Sequence, residues 1–366
     1  MTPFAPIKKK RSKRKASVQK DIVLVAPTFE PIVAKDSSHL YDLVSDAIMF
    51  HGNNVDLNHI DVSRITDFGS LFLKSPFNGD ISKWNVSSGA NFRGMFEQSV
   101  FNGDISKWNT LSATDTTRMF WGSSFSSDIS QWNVSSVKEM RAMFWQARDF
   151  KSDLSNWDVS NVTNMSRMFS HTRFNGDISR WDVSKVKEME AMFFMSAFNG
   201  DLSNWDVGAV CDMKEMFAGS KFNGDISKWN TQMVWRMESM FNTTTFKANV
   251  SQWDVAKVVN FKNMFLNSPF AGDLSQWSFR LDAIIDDMMD RRHIAQCPKP
   301  CLYHWYVALD DGEPEHLAPE QRVFFEQYTP MLSTLCDYSW QMTRELEQAW
   351  LLSRTNLGLI ELPELN

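Results

Sequence analysis

The sequence predicts an α/β solenoid, an array of about ten 24-residue strand–helix coils closed by helical caps. Three observations carry this. Phenylalanine recurs at Phe77, Phe101, Phe125, Phe150, Phe174, Phe198, Phe222, Phe246 and Phe270, always 24 residues apart except for the 25 between Phe125 and Phe150. Fifteen Trp, 28 Phe and 21 Met stand beside only five Tyr, the skew of a few residue types recurring at fixed places. Within each unit the apolar spacing changes from that of a strand to that of a helix.

Counting the Phe as position one, the unit reads F-N-G-D-[IL]-S-x-W-[ND]-V-S-x-V-x-x-M-x-x-M-F, followed by four variable residues. Asn-Gly at positions two and three suits a tight turn, because Gly adopts positive φ without strain. Positions five, eight and ten have the L-x-x-L-x-L phasing of a leucine-rich-repeat strand, with positions seven and nine pointing outward. Ser at position eleven is a good helix N-cap. Positions thirteen, sixteen, nineteen and twenty are V, M, M and F, one face of a short helix, as in "VTNMSRMF" (162–169) and "VKEMEAMF" (186–193). A degenerate first copy occupies 53–76, with Ile60 in place of the Trp. A single unit cannot bury both its faces, so stability requires neighbours.

"FNGDISRWDVSKVKEMEAMF" (174–193) and "WDVSNVTNMSRMF" (157–169) resemble the BspA-like leucine-rich-repeat surface proteins, including the repeats of unknown function described from Mycoplasma surface proteins. The resemblance covers roughly 40–280, and "SHLYDLVSDAIMF" (38–50) is similar to that family's helical lead-in. It implies a right-handed solenoid used for adhesion or protein binding, without catalysis, and a place at the cell surface.

Four segments follow. Residues 1–36 read as a disordered basic tail, 37–52 as an N-terminal helical cap, 53–280 as the array and 281–366 as a helical C-terminal cap region. Net charge is −6, but residues 1–20 carry +8 and residues 281–366 carry −9. The basic run is Lys8, Lys9, Lys10, Arg11, Lys13, Arg14 and Lys15. It offers a contact to nucleic acid or to an importin. No run of 18 apolar residues marks a transmembrane segment, and no apolar leader marks a secretory signal. These features, with four scattered cysteines, point to an intracellular protein, cytoplasmic or nuclear.

Several columns carry candidate chemistry. Asp80, Asp104, Asp128, Asp153, Asp177, Asp201, Asp225 and Asp273 share position four, where a calcium ladder is weighed against simple turn capping. Asn249 interrupts the column and favours capping. The Trp column, Trp84 to Trp277, reads as core from its phase with Ile81 and Val86. The binding candidates are the outward residues at position seven: Lys83, Lys107, Gln131, Asn156, Arg180, Asn204, Lys228 and Gln252. Asn and Asp at position nine lie beside them, and Trp235 joins them from an irregular unit. His293, Cys297, Cys301 and His304 fall within zinc spacing, but four ligands in twelve residues are cramped, and no metal or cofactor is assigned. No G-x-S-x-G, H-E-x-x-H, P-loop or G-x-G-x-x-G occurs. The expected function is a non-catalytic scaffold for an unknown protein partner; the alternative is a nuclear or nucleic-acid-associated factor acting through the tail.

Overall fold

The computed structural model describes residues 30–289, apart from 275, 281, 282 and 286. Strand β1 (Ile32–Val33) leads into helix α1 (Ser37–His51), and β1 pairs in parallel with β2 (Ile60–Asp61), Ile32 opposite Ile60. The tail expected to be disordered as far as residue 36 therefore contributes structure earlier: the Ile32 and Ala34 N–H groups donate to the His59 and Asp61 carbonyls, both at 3.0 Å, and Ala34 is fully buried. Asp36 caps α1 by accepting from the His39 N–H at 2.8 Å, and Leu40 and Val44 are its buried residues.

Beyond β2 the described chain folds in 24-residue units that stack in register. A parallel ladder runs unbroken through position fifteen, Asp67–Asn91–Asp115–Glu139–Asn164–Glu188–Asp212–Arg236–Asn260–Ile284. Its place is unexpected, since it lies in the segment expected to be helical. From Phe92 to Ser99 every N–H has a partner. Those of Phe92, Gly94, Phe96 and Gln98 donate to the carbonyls of Asp115, Thr117, Met119 and Trp121 in the next unit, at 2.6–2.9 Å. Those of Met95, Glu97 and Ser99 close turns on the residue three earlier, at 3.1–3.2 Å, and that of Arg93 goes to Asn91 Oδ1. The chain here is a ribbon of tight turns. The third residues of alternate turns, Gly94 (φ 62°) and Gln98 (φ 56°), have the positive φ of type II geometry. Units 162–169 and 186–193, expected as helices, follow the same pattern.

The cause is the rise per unit. Phe72–Phe96, Phe96–Phe120 and Phe120–Phe144 stack at 5.5–5.8 Å, and Trp84–Trp108 at 6.4 Å. A helix with side chains is about 10 Å across and cannot repeat at that spacing on a straight stack. An extended ribbon can, because neighbouring strands lie only about 4.8 Å apart.

Position five to ten, expected as the strand, is instead a turn: the Trp N–H closes on the carbonyl three residues earlier, as in Trp157 to Leu154 at 3.1 Å. The position-eight tryptophans, Trp84 to Trp277, are core, 2–4% exposed. Each indole N–H donates to the position-five carbonyl of the unit before: Trp84 to Leu57, Trp132 to Ile105, Trp157 to Ile129, Trp277 to Val250, at 2.9–3.2 Å. Gly at position three does not supply positive φ. A Cβ at Gly176 would meet the Phe174 ring at 2.9 Å, so the residue is small because the Phe folds back over it. Asn at position two is a lateral tie: Asn78, Asn175, Asn199 and Asn223 Oδ1 accept the position-two N–H of the following unit at 2.7–2.8 Å.

Trp157→Phe keeps an aromatic ring in the core but removes one of the two bonds to the Ile129 carbonyl, which still accepts the Trp132 N–H at 3.1 Å. We expect a loss of about 0.5–1.5 kcal/mol in denaturant unfolding, smaller than the roughly 3–5 kcal/mol for Trp157→Ala.

Candidate recognition surface

Two or three Asx turns per unit set the corners and consume most of the repeated carboxylates. At position four the Oδ1 atoms of Asp80, Asp104, Asp128, Asp153, Asp177, Asp201 and Asp225 each accept the N–H of the Ser two residues on, at 2.8–2.9 Å. Asn249 does the same for Ser251. At position nine Asn85, Asn133, Asp158, Asp182, Asp206 and Asp254 repeat the device at 3.0–3.2 Å, so these side chains curl onto their own backbone. At position fifteen Asp67, Asn91, Asp115, Asn164, Asp212 and Asn260 form the third corner at 2.7–2.9 Å. A carboxylate that accepts a backbone N–H two residues ahead is a turn element.

Position seven is left free for contact. Lys83, Lys107, Gln131, Asn156, Arg180, Asn204, Lys228 and Gln252 are all exposed, one per unit. They stand on turns, however, rather than on a hydrogen-bonded sheet face. Trp235 is 46% exposed, with the Arg236 guanidinium 5.3 Å from its ring. The basic run Lys8–Lys15 and the His293, Cys297, Cys301, His304 group lie outside the described residues.

The rigid face is the ribbon, whose outward side chains sit at positions fifteen, seventeen, eighteen and twenty-one. Here Trp121 and Trp145, one unit apart, stack at 4.6 Å with their planes 4° apart. Arg118 lies 5.0 Å from the Trp121 ring and Arg167 lies 5.6 Å from that of Trp145. Arg167 also pairs with Glu190 at 2.9 Å. Neither indole N–H has an acceptor among the described residues, although both are shielded from solvent. Reasoning from the repeat passed over these two residues because position twenty-one is variable. The available signal was two Trp in one phase, outside the Trp column.

The ladder stacks acidic side chains on this face. Burial first, and Asp115 second, push Glu139 above the usual carboxylate range; burial, then Asp212 and Glu190, do the same to Glu188. Burial also raises Asp212, although its carboxylate accepts the Lys214 N–H and pairs with Arg236 at 2.6 Å. At the corners the direction reverses: the backbone N–H groups of Ser106, Ser130 and Ser203 hold Asp104, Asp128 and Asp201 below the ordinary range.

The chain matches the family described as "Mycoplasma protein of unknown function, DUF285" over three overlapping stretches, 39–129, 122–220 and 193–296. These cover well over half of it, and the chain belongs to that family. No curated protein and no solved structure matches the chain. Among the described residues, no helix is long and apolar enough to cross a membrane.

The two sets of carboxylates give opposite pH dependence. Raised groups cost stability at neutral pH, and that cost disappears as pH falls through their pKa. Lowered groups stabilise above the ordinary aspartate value of about 3.9, and their contribution is lost as pH falls below it. Stability should therefore peak on the acid side of neutral and fall in stronger acid. Glu188→Gln should raise Tm by about 1–2 °C at pH 7, allowing for solvent screening, with no gain once Glu188 is protonated. Thermal melts of both proteins across pH test this.

Proposed function

We propose that the chain is a non-catalytic solenoid scaffold of the BspA-like leucine-rich-repeat type, and that it recognises another protein along its ribbon face. The observation that carries this reading is the Arg118–Trp121–Trp145–Arg167 stack on a backbone fixed by bonds in both directions. Trp and Arg are the residues that dominate protein interfaces, and rigid placement lowers the entropy cost of docking. The position-seven column offers the same partner a second, more pliable row of polar contacts.

The faces separate by substitution. Trp121→Ala with Trp145→Ala should abolish partner capture while leaving Tm within a few degrees, because both rings are partly exposed. Charge reversal at Lys83, Lys107, Arg180 and Lys228 should weaken capture less. Full capture by the double alanine variant rejects the ribbon face; loss confined to the charge-reversed protein moves the site to position seven.

The +8 charge on residues 1–20, against an otherwise acidic chain, favours a second reading, in which the tail binds nucleic acid. Removal of residues 1–20 should then eliminate salt-sensitive binding to a DNA duplex. Unchanged binding rejects that reading.

A further inference from the structure

The described array hides its large apolar side chains, and half of the exceptions crowd one end. Ile32, Val33, Tyr41, Met49, Phe50 and Leu73 are all exposed, Phe50 to 72%, and all belong to β1, α1 or the first unit. The backbone at this end is also incomplete. Ribbon bonds run one way only: Phe68, Ser70, Phe72 and Lys74 donate to Asn91, Arg93, Met95 and Glu97 in the next unit. The carbonyls that would receive a preceding unit are those of Asp67, Gly69, Leu71 and Leu73. Ser37 Oγ donates to Asp67 at 2.6 Å, and no described residue donates to the other three. Gly69, Ser70 and Leu73 are exposed, whereas Gly94, Ala142 and Ala191, in later units at the position of Ser70, are buried. A row of free acceptors beside apolar side chains is a template for an added strand.

The chemistry of the edge selects its occupant. It offers only acceptors, so two copies of it cannot pair with each other, and the incoming segment must bring N–H groups. This chain has such a segment near at hand. β1 already lies on this end of the array, and eight residues before Val33 the sequence ends the run Ile22-Val23-Leu24-Val25, four apolar residues that all carry an N–H. The seven residues from Val25 to Ile32 reach up to about 23–25 Å. The two walls of the unit are only two side chains apart: the Trp84 indole, on one wall, lies 6.0 Å from the Phe72 ring on the other. We propose that Ile22–Val25 adds to the open edge at Gly69, Leu71 and Leu73, completing the first unit in cis and covering its apolar end. This goes beyond the recognition reading and does not depend on it.

Amide hydrogen exchange on the full chain tests the assignment, with the free peptide of residues 20–28 as reference. The amides of Ile22–Val25 should exchange at least about tenfold more slowly in the protein than in the peptide. Leu73→Lys, an exposed change that places a charge on the edge, should restore the peptide's rate while exchange across 140–170 stays as it was. Peptide-like exchange in the unaltered protein overturns the proposal. So does protection that survives Leu73→Lys, and so does protection that grows with protein concentration, which assigns the edge to a second copy.

Discussion

The constraint on which this molecule depends is the stacking distance of its rings. Phe and Trp columns repeat at about 6 Å, and every other feature must repeat at that distance too. A backbone that advances so little per turn of the array must be extended or tightly turned on all sides. The ribbon meets the condition by spending alternate N–H groups upward and the rest on local turns. Indole donors tie the opposite wall, each reaching back one unit. Order in one unit is therefore supplied largely by its neighbours, as expected of repeat proteins.

Regularity has a local cost. Non-glycine residues such as Arg118, Ala142, Gln146, Arg167, His171 and Met195 hold positive φ, which costs roughly 1–2 kcal/mol each for an L residue. Two sets of backbone bonds and a fully buried Met or Phe beside each turn offset that strain. The same economy decides what faces outward. Asp and Asn at three corners are occupied with their own backbones, so a polar residue in this sequence is more often a turn element than a contact. The side chains left over are the exposed row at position seven and the aromatic–guanidinium stack on the ribbon.

Sequence alone was enough to find the unit, its 24-residue period, the buried Trp, Phe and Met columns, and the capping role of the position-four Asp. It also named the family resemblance in its coarser part, the Mycoplasma repeats. It misplaced the secondary structure within the unit. V-x-x-M-x-x-M-F has helical spacing, but spacing by threes also suits a ribbon in which tight turns bring every third or fourth side chain to one side. Nothing in the residues of one unit reveals that the neighbour lies 6 Å away, and that distance is what excludes the helix. The exposed row at position seven was legible, since exposure follows from phase, whereas the outward pair Trp121 and Trp145 was hidden where the consensus is variable. Asn-Gly misled in a similar way, since the glycine answers to the Phe ring rather than to the turn.

The 25-residue unit shows where such an array yields. The added length falls at Arg148 and Asp149, both exposed, where the Phe150 N–H closes on the Ala147 carbonyl instead of on a Ser hydroxyl as at Phe125 and Phe198. The ladder passes from Glu139 to Asn164 without a break. Corners of this kind absorb a change in contour length without shifting the register of either wall. A lineage carrying this architecture can therefore lengthen, shorten or decorate its units at that corner while inheriting the interior unaltered.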